Sequence, residues 1–170
     1  MNNLIIKRNA ISFKNLLMSV VFLTMTVMVT TVKAEDLTVF STFGELYDAH
    51  NNKADYGVGH RRLRDGEIRF DENGDVIGRY HSISTVINVN KETNTDTREY
   101  LVLIKLPEGT FWIKDVVDMP NKGLPTADMK VSGVILGGTL GYKGIGGTFE
   151  SQISKSGKFA ETVYHIIRPK

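Results

Sequence analysis

From residue 35 onward, short runs rich in Val, Ile, Thr, Phe and Tyr are divided by Gly, Asn, Asp and Pro, and no run keeps a helical period. This is the pattern of an all-β sandwich or barrel. The predicted strands are Leu37 to Ser41, Val58 to Phe70, Val76 to Val89, Arg98 to Leu106, Thr110 to Asp118, Lys130 to Leu136, Thr148 to Ile153 and Phe159 to Arg168. Eight strands can close a barrel whose interior is filled by side chains or holds one small ligand. The fold class is therefore all-β, a sandwich or an eight-stranded antiparallel barrel, behind an N-terminal signal helix. Thr42 to Asn52 is the one stretch that reads as a helical turn or two, with Thr42 as its cap, although its glycine and asparagines weaken it.

The turn residues favour antiparallel neighbours. Asn73-Gly74 between two strand runs tolerates the positive backbone angles of a tight hairpin. The same stretch resembles part of a calcium loop, but Gly74 is fourth rather than sixth and the twelfth position is Ser82, so calcium is not expected. Pro107-Glu108-Gly109 and Lys155-Ser156-Gly157 supply two more hairpins. Asn90 to Thr97 has no apolar residue and reads as an exposed connection. Asp118 to Asp128, with two prolines, reads as a loop able to overhang a barrel mouth.

Alternation within the strands is imperfect. In Val76 to Val89 one face carries Tyr80, Ser82, Ser84 and Val86 and the other Arg79, His81, Ile83 and Ile87. A one-sided sheet segregates polar and apolar residues better than this. Either both surfaces are partly covered, as in an oligomer, or the lumen contains polar groups.

The first 34 residues read as a leader. Lys7, Arg8 and Lys14 precede the apolar run Leu16 to Thr31, and Val32-Lys33-Ala34 follows it with small residues at the cleavage positions. A basic start, an apolar stretch shorter than a bilayer span and a small-residue site describe a secretory signal cleaved after Ala34. The chain then divides into a signal peptide, 1–34, and one barrel domain, 35–170, destined for the periplasm or the exterior, with no stable membrane span after cleavage. An uncleaved anchor is the competing reading. The leader holds four of the 21 Lys and Arg residues and none of the 19 acids, which leaves 17 basic against 19 acidic residues, a net charge of −2. A near-neutral domain has no global field for nucleic acid. The absence of cysteine excludes a disulfide framework, a thiol nucleophile and Cys-based metal sites.

The segment Gly137-Gly138-Thr139-Leu140-Gly141-Tyr142-Lys143-Gly144-Ile145-Gly146-Gly147 joins two strands. It lacks the helix that a phosphate loop or dinucleotide loop needs, so a crowded strand-to-strand connection with Tyr142 plugging the barrel end is the better reading. The segment resembles one found in the allene oxide cyclase and dirigent-like barrel superfamily. Gly137, Gly138, Thr139, Tyr142, Gly144 and Gly147 fall in register, Ile145 takes the place of an alanine, and Leu140 departs from the pattern. Asp71 to Gly78 and the last strand extend the resemblance over roughly Tyr56 to Ile167. It implies an eight-stranded barrel with an apolar lumen, often a trimer, and chemistry in which shape holds a reactive molecule in one conformation. It carries no catalytic residue over to this chain.

The residues themselves offer few chemical groups. His50, His60, His81 and His165 show no metal-ligand spacing, so no metal is expected. Asp115 shares alternation with Phe111, Ile113 and Val117, which makes it the strongest candidate for a perturbed carboxyl unless it points outward beneath a loop or a neighbouring subunit. Glu161 and His165 flank Val163 on one strand face, as an acid/base pair or an ordinary surface ion pair. Tyr80, Trp112 and Tyr164 are candidates to line a lumen, against the alternative of core filling. The expected function is an exported barrel that binds a small apolar molecule and guides its cyclisation or isomerisation without a cofactor, and that self-associates. The alternatives are a non-enzymatic carrier and a secreted interaction module with a packed lumen.

Overall fold

The computed structural model describes residues 32–48, 56–120, 126–127 and 129–169. The segment up to residue 31, which the sequence reads as a leader, lies outside the described residues. Nine strands form one sheet: β1 (Lys33–Thr42), β2 (Leu46–Asp48), β3 (Arg61–Arg69), β4 (Val76–Asn90), β5 (Thr95–Leu106), β6 (Gly109–Pro120), β7 (Lys130–Gly138), β8 (Gly146–Ile153) and β9 (Phe159–Arg168). Their order is β1-β9-β8-β7-β6-β5-β4-β3-β2. Every pairing is antiparallel, as the hairpin residues require.

The sheet closes because β1 also pairs with β3, Phe40 opposite Arg69 and Ser41 opposite Ile68. β2 continues along the same edge of β3, from Leu46 opposite Arg64 to Asp48 opposite Arg62. β1 and β2 thus act as one interrupted strand, and the closed barrel has eight. The interruption includes Gly44, where a Cβ would overlap the carbonyl oxygen of Asp65. The helical turn expected in Thr42 to Asn52 is therefore corrected at Leu46–Asp48, which is extended because its backbone groups bond to β3; residues 49–52 lie outside the described residues. Lys33 and Ala34, read as the end of the leader, are the first two residues of β1, opposite Arg168 and Ile167. A chain cut after Ala34 keeps the ladder from Glu35 opposite Ile166 to Thr42 opposite Phe159.

Two ladders have features that matter for the site. The β4–β5 connection is shorter than the sequence suggests: Asn90 ends β4 and Thr95 begins β5, with Asn90 opposite Thr95. The β6–β7 ladder runs only from Phe111 opposite Gly138 to Lys114 opposite Val134, slipping between Trp112 and Ile113. Beyond Lys114, β6 keeps its partner on β5 but has none on β7.

One end of the barrel is filled. Tyr142, on the 3₁₀ turn Leu140–Tyr142, is buried with its ring 5.0 Å from Phe111, which meets Tyr164 edge-on at 5.1 Å. Leu106, Ile135, Ile145 and Ile166 complete this packing. Arg168 caps it from outside, 5.0 Å over the Tyr142 ring, with Nε donating to Glu35 at 2.6 Å and Nη1 to the carbonyl of Gly141. Gly147 has φ +132°, and a Cβ there would overlap the carbonyl oxygen of His165, so the close approach of β8 and β9 depends on the missing side chain.

Of the two causes weighed above, the structure shows polar groups in the lumen. Ser82 and Ser84 face inward beside Tyr80, while Ile83 and Ile87 are exposed on the outer face. Tyr47, Leu63, Ile83 and Leu101 lie opposite one another across β2, β3, β4 and β5, and form an apolar row on the outside of the wall.

Candidate active site in the barrel lumen

The half of the barrel away from Tyr142 is hollow. A cavity of about 190 Å³ is lined by inward-facing residues of every strand. Its apolar lining includes Tyr80, Val102, Ile104, Ile113, Val117, Met119, Val131, Phe149 and Tyr164. Its polar lining comprises Asp115, the arginines Arg62, Arg64 and Arg98, Tyr100, and a set of small hydroxyls. A cavity of about 150 Å³ walled by apolar side chains holds a benzene-sized molecule. This one is larger and is approached past Phe43 and Leu46, both partly exposed. A packed lumen, as the interaction-module alternative requires, has no such space.

Asp115 follows from the alternation of β6. Phe111, Ile113 and Asp115 point inward and are buried, whereas Trp112 and Val116 point outward and are exposed. At 9% exposure, Asp115 has an Oδ1 atom with no hydrogen-bond partner among the described residues. Burial pushes its carboxyl up from 3.8 to about 7, against a smaller opposite pull from its own backbone amide. A carboxyl poised near neutrality can give or take a proton at working pH, which is the property a general acid or base needs. Asp115 lies immediately past the end of the β6–β7 ladder, where Gly133 lets β7 approach Lys114 and Asp115 closely.

A second polar group was not legible as such in the sequence. Asp96 and Arg98 are 1% and 3% exposed and paired, Arg98 Nε donating to Asp96 Oδ1 at 2.6 Å and Nη2 to Oδ2 at 3.0 Å. Tyr56 joins them: its hydroxyl donates to Asp96 and accepts from Arg98 Nη2 at 3.0 Å. Burial alone works against the charge on Arg98, but the bonds to Asp96 and Tyr100 outweigh it and raise its pKa. The exposed connection expected over Asn90 to Thr97 is thus corrected: Thr95–Thr97 belongs to β5, and Asp96 faces inward because Arg98 is there to satisfy it. The available signal was the shared parity of Asp96, Arg98, Tyr100, Val102 and Ile104.

The other candidates separate cleanly. Tyr80 and Tyr164 line the cavity, Tyr80 donating to the carbonyl of Thr42 at 2.9 Å. Trp112 does not: it is 41% exposed on the outer face, opposite Leu103, because it has the opposite parity to Asp115. Glu161 and His165 also lie outside the lumen, on the face of β9 opposite to Thr162 and Tyr164. His165 Nδ1 is 2.8 Å from Asp36, and Glu161 accepts from Gln152 at 3.4 Å, so the two serve separate surface contacts. Gly137, Gly138, Thr139, Tyr142, Gly144 and Gly147 sit at the filled end, where the Thr139 hydroxyl meets that of Thr110 at 2.7 Å. Among the described residues no three His, Asp or Glu side chains are placed to hold a metal ion, and no helix is long and apolar enough to cross a membrane.

No protein-family model matches the chain, and no curated protein matches it by sequence. Solved structures do. A pyocyanin demethylase superposes with a TM-score of 0.61 at 14% identity, covering 78% of this chain and 99% of its own. The Diels-Alderase AbmU from Streptomyces koyangensis gives 0.58 at 14% identity, covering 96% of this chain and 84% of its own. A pterocarpan synthase dirigent protein gives 0.57 at 13% identity, covering 85% and 94%. At such identities the likeness is one of fold. The chain therefore shares the fold of an eight-stranded antiparallel barrel with these proteins, a dirigent protein among them.

Proposed function

We propose that this chain is an exported barrel that holds a small, largely apolar molecule in its lumen and guides the cyclisation or isomerisation of that molecule without a cofactor. The observation that carries the proposal is the hollow half of the barrel with one carboxyl in its lining, Asp115, whose Oδ1 is left unpartnered among the described residues. An empty apolar space beside an unsatisfied buried polar atom costs stability, and such costs concentrate where a ligand relieves them. The walls hold the molecule in one folded conformation, which removes most of the entropy barrier to ring closure. Asp115, protonated below about pH 7, donates to an oxygen or unsaturated carbon of the ligand, and its carboxylate takes a proton back from the product. The solved barrels are named for a demethylation, a cycloaddition and a pterocarpan synthesis. Three chemistries in one architecture support a reaction in the lumen and leave its type to the lining residues.

The test is native mass spectrometry of the protein purified from its own cells, followed by incubation of the released molecule with wild type and Asp115→Asn. Retention of a small molecule and a rate loss of about 10²-fold or more in the variant is the expected result. Retention with no conversion by either protein identifies a carrier. Absence of any retained molecule, together with no heat of binding for small apolar probes, refutes the proposal. Edman sequencing of the exported protein is expected to begin at Glu35; a start within residues 1–34 refutes cleavage after Ala34.

A further inference from the structure

Three arginines line the cavity, and two of them are matched by acids. Arg62 Nε lies 3.3 Å from Asp48 and its guanidinium stands 5.1 Å over the Tyr56 ring. Arg98 is held by Asp96. Arg64 is the exception. Among the described residues no carboxylate lies within ion-pair reach of it, and its Nε is buried without a hydrogen-bond acceptor. The acids that follow it on β3 offer no match: Asp65 and Glu67 have the opposite parity, and Glu67 is taken by Arg69 at 2.8 Å. Asp115, the single acid of the lining, keeps its own Oδ1 unpartnered, so that oxygen does not bond to Arg64. Arg64 lines the lumen beside Tyr80, whose hydroxyl its charge reaches.

A guanidinium turned into a half-closed, mostly apolar space is completed by an anion, and its planar fork matches a carboxylate in two parallel hydrogen bonds. We infer that Arg64 is a binding residue that receives the carboxylate of an amphiphilic lumen ligand, whose apolar body lies against Ile104, Ile113, Phe149 and Tyr164. This rests on the lumen-binding reading above and adds to it the charge and polarity of the ligand. It also sets a direction. The acid group is held at β3, and the apolar body extends across the lumen toward β6, where Asp115 stands.

The experiment is calorimetric titration at pH 6 with 2-naphthoate and with 2-naphthamide, two probes of one shape that differ in charge. The full barrel, Arg64→Gln and Arg64→Lys are compared. Wild type is expected to prefer naphthoate by roughly tenfold or more, the value of one good charge-assisted contact. In Arg64→Gln the preference is expected to collapse to about twofold or less, with naphthamide affinity unchanged. Equal affinities in wild type, or a preference that survives Arg64→Gln, overturn the inference. If naphthamide binds well and naphthoate no better, only the role of Arg64 falls. If neither probe binds wild type, the lumen-binding reading falls and this inference with it. Should Arg64→Gln fail to fold, Arg64→Lys carries the test: loss of the two-pronged geometry is expected to reduce the naphthoate preference several-fold, and an unchanged preference overturns the assignment.

Discussion

Replacing Asp115 by asparagine keeps the shape of the side chain and removes its proton, so the variant isolates what the carboxyl does to stability. In the unfolded chain this carboxyl titrates near 3.8, and in the barrel burial moves it to about 7. Between those two pH values the folded protein keeps a proton that the unfolded chain has released. The stability this contributes is complete below pH 3.8 and is lost as pH rises through 7, where the native carboxylate must ionise inside the wall. At about 1.4 kcal/mol per pH unit, the loss between pH 4 and 8 amounts to about 4 kcal/mol, or on the order of 10 °C in melting temperature for a domain of this size. Urea melts of wild type and Asp115→Asn at several pH values between 4.5 and 8 measure it directly. Every other titratable side chain is common to both proteins, so the difference between the two curves is the quantity to read. The variant is expected to gain on wild type steadily as pH rises. A difference that stays flat to within about 0.5 kcal/mol would refute the burial of this carboxyl and, with it, its candidacy as an acid.

Gly147→Ala places a Cβ against the carbonyl of His165 at φ +132°, and a loss of about 3 kcal/mol or more is expected by denaturant melting; a loss below about 1 kcal/mol contradicts the close approach of β8 and β9. Arg98→Met leaves Asp96 buried without its main cation, which is expected to cost about 3 to 5 kcal/mol by the same assay; rescue is expected from a second change, Asp96→Leu, because removing both charges removes the desolvation penalty. The outer row of Tyr47, Leu63, Ile83 and Leu101 with nearby Trp112 is expected to bury itself between copies of this chain, so Ile83→Lys shifts the sedimentation velocity distribution toward monomer while the melting midpoint of the barrel stays within about 1 kcal/mol; a wild type that sediments as monomer at micromolar concentration contradicts this.

The strands were legible because each carries its own punctuation. Asn73-Gly74, Pro107-Glu108-Gly109 and Ser156-Gly157 mark hairpins, and the structure turns at each of them, with positive φ at Gly109 and Gly157; Asn73-Gly74 turns without it, Gly74 N–H donating to the carbonyl of Asp71 at 3.2 Å. Asp115 was legible for a related reason: two-residue parity needs no knowledge of distant strands. Where reading failed, the deciding partner lay far along the chain. Asp96 looked like a loop residue because nothing near it is apolar, yet alternation with Arg98 and the Tyr56 hydroxyl, 40 positions away, allow it to be buried. Leu46–Asp48 has no intrinsic strand character and becomes extended because the edge of β3 is open to it. Trp112 reads as a lumen or core candidate on the strength of its aromatic ring, although its parity with Lys114 and Val116 places it outside. Arg64 reads in the sequence as part of the basic run His60-Arg61-Arg62-Leu63-Arg64, a solvated strand face among Asp65, Glu67 and Asp71, because such a face and a lumen arginine look the same in one dimension.

Barrel closure also has a timetable. The strand made earliest, β1, completes its ladder against β9, the one made last, and Glu35 meets Arg168 across 133 positions. Contacts of such sequence separation form late, and until they do the growing sheet offers two raw edges to any neighbour. If the chain is exported as proposed, it stays vulnerable until the ten residues of β9 are through. Truncation of that strand would yield an open ribbon with a strong tendency to stack, and a helper that shields unpaired edges during delivery would raise the yield of closed barrels more than any improvement to the packed end.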